Sequence, residues 1–240
     1  GVITNNFRGL AHLATERAYN MILHKETILQ NLSQAECHRD VLDAETLERI
    51  WTLGFSGGNV RKNKLGNIFI SGAVVSQAYD LISEKIPVQA EMYGGNFFIA
   101  CHHYGPHMDS FHKHNEVDDG TTVYKNVIVP LWIGGSDNGD NITFYRQRLI
   151  DYGSAFGGKP EFNKERKHQL HPDPTVLQFY DHNGQAIPKH QNRRDFDVEQ
   201  VFEWRPGDLI VFDSVQVHSS ERVNWVNKMG LLLKFRIKFK

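Results

Sequence analysis

The sequence is poor in cysteine, in net charge and in long apolar runs, and each shortage excludes something. Two cysteines, Cys37 and Cys101, in 240 residues cannot build a disulfide framework, and their spacing is not that of a zinc–thiolate site. Lys+Arg 27 against Asp+Glu 28 leaves a formal net charge of −1. That lacks the basic excess of a general nucleic-acid or anionic-membrane binder, so neither duplex nucleic acid nor a membrane is expected as partner. The longest apolar runs, Val127 to Ile133 and Leu231 to Leu233, are too short to span a bilayer. No charged-then-apolar leader opens the chain and Gly1 stands where Met is usual, which suggests a trimmed start. A soluble, cytoplasmic protein is the expectation. What the chain does have is 40% apolar residues, enough for a sizeable core, and thirteen unevenly spread histidines.

No repeat or low-complexity tract is visible, and the first part of the chain reads mainly helical. Ala44 to Leu53 carries Leu47, Ile50, Trp51 and Leu53 on roughly one face, with Asp43 placed as N-cap and Gly54 closing the helix. A second helix is expected over Gly72 to Ile86, ending at Pro87, with Val74, Val75, Ala78, Leu81 and Ile82 at helical spacing. Phe55 to Lys64, rich in Gly, Asn and Arg, reads as loop. From Gln89 the texture changes to β-type runs at Asn96–Cys101, Val123–Ile133, Asn141–Tyr145, Leu209–Phe212 and Met229–Phe239. Gln147 to Glu199 is a polar stretch too long for an ordinary connection. Its histidines (His168, His171, His182, His190), basic residues and aromatics such as Phe156, Phe179 and Tyr180 suit a lid over a polar substrate, or a surface excursion. Helices followed by strands indicate α+β, with the helices on one side of an antiparallel sheet system.

The densest chemical signal is the run from His102 to His114, in which five histidines and one aspartate, Asp109, lie within thirteen positions. On a strand, residues two apart share a face, so His107 and Asp109 converge; on a helix they would diverge. A transition metal needs a third ligand, and the best candidate is His218. It follows the Pro206-Gly207 turn, the apolar run Leu209–Phe212 and the short Val215–Val217 run. Two imidazoles and one carboxylate on one side of a metal leave the other positions open, an arrangement suited to Fe(II). His102, His103, His112 and His114 are expected outside the ligand set. Ten residues past His218, Lys228 opens a strand on which Leu231, Leu233, Phe235, Ile237 and Phe239 share one parity. Lys228, Gly230, Lys234 and Arg236 share the other. Lys228 is placed to anchor a dicarboxylate held by the metal.

In these motifs the chain resembles the Fe(II)- and 2-oxoglutarate-dependent dioxygenases, especially the phytanoyl-CoA-hydroxylase-like branch. His107-Met108-Asp109 matches the family's His-x-Asp, and His218 after Gly207–Phe212 matches its distal histidine. Lys228 matches its basic 2-oxoglutarate anchor, with Lys where many members have Arg. Gly230 stands where a helping Ser often sits. The resemblance covers roughly Gln89 to Phe239. It implies a double-stranded β-helix (jelly roll) with N-terminal helices packed on the outer sheet. The whole chain, 1–240, would be one oxygenase domain: 1–88 mainly helical support, 89–239 the jelly-roll core with a 147–199 insert or lid.

It also implies Fe(II), 2-oxoglutarate and O2 as cofactor and cosubstrates, with metal ligands His107, Asp109 and His218 and cosubstrate held at Lys228. The expected reaction is hydroxylation of an unactivated C–H in a small polar or amino-acid-type molecule, with release of succinate and CO2. Asp109, rather than Gly or Ala, leaves no vacant position for chloride, so hydroxylation is favoured over halogenation. The rivals are a non-oxidative, cupin-like metal- or ligand-binding jelly roll and a zinc hydrolase. The hydrolase needs a general base, for which Glu116 is the nearest candidate.

Overall fold

A computed structural model describes residues 26–64, 66–101, 105–109, 122–134, 140–149, 178–188, 196–220 and 227–238. Strands dominate. They are β1 (Glu36–His38), β2 (Asn59–Lys62), β3 (Ile68–Ser71), β4 (Glu91–Ala100), β5 (Thr122–Ile133), β6 (Asn141–Leu149), β7 (Phe179–Tyr180), β8 (Val198–Glu203), β9 (Leu209–Asp213), β10 (Gln216–Ser220) and β11 (Lys228–Lys238). Helices α1 (Ala44–Phe55) and α2 (Ala73–Ile82) precede β4. Among the described residues no helix is long and apolar enough to cross a membrane.

The strands form two antiparallel sheets. Seven run in the order β1-β9-β5-β11-β4-β3-β2, and a four-stranded sheet is built on β6, with β10 along one side and β7 and β8 along the other. Alternation along the strands separates two apolar layers. Val127, Val129, Leu231, Leu233, Phe235 and Phe97 face the helices and pack with Ile50, Val75, Ala78 and Ile82. The opposite parity (Ile128, Ile210, Phe212 and Leu232) meets Ile142, Phe144 and Trp204 between the sheets. The helices therefore cover the outer face of the seven-stranded sheet, and the inner face looks onto the second sheet.

Asp43 caps α1 as expected, accepting from the Thr46 amide at 2.8 Å. Gly54 does not end that helix, which runs to Phe55. It lies inside the last turn because the helix rests there on β11: a Cβ at Gly54 would sit 2.4 Å from the Met229 methyl. The second helix is α-helical only to Ile82, and Ser83–Lys85 tighten into a 3-10 turn before Pro87. Asn59–Lys62, expected as loop, is an edge strand paired with β3. Its polar, basic sequence hides the strand pattern while suiting an exposed sheet edge. With β1 to β3 present, the described residues before 88 are a mixture of helix and strand.

The polar stretch 147–199 is narrower than expected. Gln147–Leu149 belong to β6 and Val198–Glu199 to β8. Phe179–Ile187 form a hairpin around Asp181–Gly184, with the Ile187 amide donating to the Phe179 carbonyl at 2.8 Å. This part is packed: Phe179 and Ile187 are buried with Leu149, Met108 and Val217. His182 bonds Glu199 at 3.0 Å, and Glu199 also accepts from the buried Arg148 at 2.8 Å. The hairpin thus packs against the part of the chain that carries Met108 and Val217. Residues 150–177 and 189–195, with His168, His171 and His190, lie outside the described residues.

Candidate metal centre

The Pro206-Gly207 turn delivers β9 to the sheet as its sequence suggests. Gly207 takes φ +97°, a conformation that favours glycine, and its carbonyl accepts from Val41 and Leu42. Beyond β9 the chain crosses to the second sheet, where His218 on β10 lies opposite Phe144. The other edge of β10 carries a single bridge to His107. The two residues exchange both backbone hydrogen bonds, His107 N to His218 O at 2.9 Å and the reverse at 2.8 Å. Their rings stand 4.4 Å apart, centroid to centroid.

Asp109, two residues on, completes the cluster. Ligand-type atoms of His107, Asp109 and His218 all lie within 4.8 Å of one another. Each side chain is oriented by a second group. His107 Nδ1 is 2.7 Å from the Gly105 carbonyl and His218 Nδ1 is 3.0 Å from the Gln216 carbonyl. A carbonyl can only accept, so both rings donate from Nδ1 and carry the lone pair on Nε2, the tautomer a metal requires. Asn126 Nδ2 donates to Asp109 Oδ2 at 2.6 Å. His218 is 4% exposed and packed by the rings of Phe212, at 4.8 Å, and Phe144, at 5.8 Å.

Electrostatics prepare the same donor set. Burial, reinforced by the neighbouring His107 ring, pushes the His218 imidazole down to about 4, so it is neutral at physiological pH. Burial alone would raise the Asp109 carboxyl, but its neighbours His218, Lys234 and His107 and the Asn126 hydrogen bond outweigh it and hold it below its ordinary range. Oriented imidazole nitrogens and an ionised carboxylate are the donor chemistry of a divalent first-row metal, and the residues fit one.

Three of the four expected site residues thus come together. Lys228, the fourth, is the first residue of β11. It is buried at the start of β11, ion-paired with Asp140 and 4.6 Å from the centroid of the Trp204 ring. His102, His103, His112, His114 and Glu116 lie outside the described residues. Asn126 was missed by reading the sequence, although its signal was there: a lone amide on the inner parity of an otherwise apolar strand. Cys37, half-buried on β1, has its thiol pushed up to about 11 chiefly by burial and is chemically quiet.

Seven- and four-stranded antiparallel sheets with a metal-type triad between them define a mostly β protein with a candidate mononuclear site. No protein-family model and no curated protein matches the chain. Solved structures do, at low identity. One is the non-haem α-ketoglutarate-dependent carbocyclase SnoK of nogalamycin biosynthesis, with 11% identity over 87% of this chain and 86% of that one and a TM-score of 0.49. Another is HygX from Streptomyces hygroscopicus with nickel and 2-oxoglutarate bound, at 10%, 85%, 83% and 0.48 in the same order. A third is a Pseudomonas putida prolyl-4-hydroxylase, at 12%, 92%, 100% and 0.44.

Proposed function

We propose that this protein is an Fe(II)- and 2-oxoglutarate-dependent oxygenase, a single domain whose two sheets form a double-stranded β-helix. It hydroxylates a small polar or amino-acid-type molecule. The observation that carries the reading is the triad His107, Asp109 and His218, with each ligand pre-oriented by its own partner. Three protein ligands on one side leave positions for a bidentate 2-oxo acid and for oxygen. When bound, Fe(II) with 2-oxoglutarate and O2 supplies the oxidising power, with release of succinate and CO2.

The chain's own residues supply the geometry. Gly105 and Gln216 carbonyls fix the imidazole tautomers, and Asn126 holds the Asp109 carboxylate turned. Phe144 and Phe212 shield the His218 side of the site from water. Lys228 is proposed to hold the far carboxylate of 2-oxoglutarate. Its ammonium already faces Asp140, so the cosubstrate must share or displace that carboxylate.

The test is anaerobic titration of the protein with Fe(II) and 2-oxoglutarate, followed by admission of air and measurement of succinate. Wild type should form the ternary complex and release succinate slowly without a substrate, and His107→Ala should do neither. Metal binding without succinate would favour the non-oxidative, cupin-like alternative.

A further inference from the structure

The Gln216 carbonyl turns the His218 ring, and Gln216 sits where the pairing of its own strand is interrupted. On β10, Ser220, Ser219 and His218 lie opposite Ile142, Thr143 and Phe144 on β6 in regular register. Beyond His218 the register breaks, and Gln216 faces Arg148. The slack is in β6, whose pairing with β8 also shifts, between Phe144 and Tyr145. Residues 145–147 therefore bulge out of register, and His218 stands at the edge of the ordered pairing. A bulge disrupts the ladder locally and re-aims the side chains beside it.

Side chains close that gap. Gln216 is fully buried, and its Nε2 donates to the Tyr145 carbonyl at 3.0 Å and to Glu199 Oε2 at 2.9 Å. Both partners only accept, so the amide cannot turn round. Arg148, equally buried, donates to the Arg146 carbonyl at 2.7 Å and to Glu199 Oε2 at 2.8 Å. The other Glu199 oxygen accepts from His182 Nδ1 at 3.0 Å. Two carbonyls of the bulge are thus taken by two side chains, and one carboxylate holds both. Replacing a buried ion pair by apolar groups is often neutral for stability, so stability alone does not account for this arrangement.

We propose that Glu199 is a positioning residue of the metal centre. It holds the Gln216 side chain across the bulge. That sets the direction of the Gln216 carbonyl, and the carbonyl in turn keeps the His218 proton on Nδ1 and the lone pair on Nε2. This rests on the triad being a metal centre.

The test compares three variants with wild type. Gln216→Met removes the arm and leaves the Glu199–Arg148 pair. Glu199→Gln keeps an oxygen for Gln216 but takes the countercharge from buried Arg148. Glu199→Met combined with Arg148→Met removes the acceptor and the charge pair together. The His218 tautomer is read in chelator-treated protein from two-bond proton–nitrogen correlations of isotope-labelled histidine, its signals identified by their loss in His218→Gln. Ni(II) affinity is measured by calorimetry, and stability by thermal unfolding. Gln216→Met and the double variant should move His218 from the Nδ1–H form to a mixture of tautomers and weaken Ni(II) binding roughly ten- to a hundredfold. Glu199→Gln should unfold at a lower temperature yet keep the His218 tautomer and most of the Ni(II) affinity. The double variant should unfold closer to wild type and still lose both. Stability and site then move in opposite directions, which a merely structural role cannot produce. A His218 tautomer and Ni(II) affinity unchanged in either Gln216→Met or the double variant overturn the proposal, so one folded variant of the two suffices. An Ni(II) affinity that simply follows the unfolding temperature across all variants overturns it as well. Failure of wild type to bind Ni(II) refutes the metal reading instead, and the tautomer measurement still decides Glu199.

Discussion

Acidifying the metal-free protein should destabilise it through His218. In the unfolded chain this imidazole takes up a proton around its ordinary value of 6.5, whereas in the folded protein it does so only near 4. Between those values the unfolded state binds the extra proton, so stability rises with pH across the window. The His218 contribution is fully present above 6.5 and lost as the pH falls toward 4. At about 1.4 kcal/mol per unit, the displacement is worth about 3 kcal/mol, most of it gone by about pH 4.5. The lowered Asp109 carboxyl acts below the ordinary carboxylate value of 3.8, outside this window. The assay is urea unfolding of chelator-treated wild type and His218→Gln at about pH 7.5 and about pH 4.5. Wild type should lose about 2–3 kcal/mol more than the variant over that interval. Saturating Ni(II) should steepen the dependence, because the ion binds only neutral imidazole. Equal losses in the two proteins would refute the assignment of His218 as a buried neutral donor.

Asp109→Ala should abolish tight Fe(II) binding and 2-oxoglutarate turnover with a near-native circular dichroism spectrum; wild-type iron affinity would remove Asp109 from the site. Lys228→Ala should raise the 2-oxoglutarate KM by one to two orders of magnitude, the roughly 1.5–3 kcal/mol of a charged hydrogen bond. It should also cost about 3–5 kcal/mol of stability by leaving the buried Asp140 carboxylate without its cation. Lys228→Met with Asp140→Asn should recover much of that stability in urea unfolding but not the KM, and an unchanged KM in either variant would move the anchor elsewhere. Phe179→Ala should cost about 3–5 kcal/mol and also weaken Ni(II) binding, because its cluster contains Met108 and Val217, neighbours of all three ligands. Lower stability with unaltered metal affinity would show that the hairpin does not support the site.

The parts of this architecture legible in the sequence are those where one residue type has one physical use. Alternation in β5 and β11 fixes two faces, and a His-x-Asp pair with a distant histidine after an apolar strand points to a metal. The structure adds what depends on partners far away in the chain. Asn59–Lys62 has no apolar alternation because it is an edge strand, so only its pairing with β3 reveals it. Gly54 reads as a helix terminator, yet it is the point where α1 touches Met229 across the sheet. Lys228 and Lys234 are equivalent in parity along β11. What separates them is the neighbour each meets, Asp140 for one and Asn126 for the other, and neither neighbour is local in sequence.

The reciprocal backbone bonds between His107 and His218 have a consequence for which ion the site would carry. A ladder bridge, not the ion, sets the spacing of the two imidazoles, so an arriving metal meets a bite that is already cut to size. Such a site gains affinity by avoiding assembly, but it has little capacity to reshape itself around one guest and turn away another of similar radius. Competition among divalent ions then follows their intrinsic preference for nitrogen and oxygen donors, in which iron ranks below nickel, copper and zinc. Protein recovered from aerobic cells is therefore expected to hold whichever ion was in supply, and iron would have to be offered after chelation and in the absence of rivals.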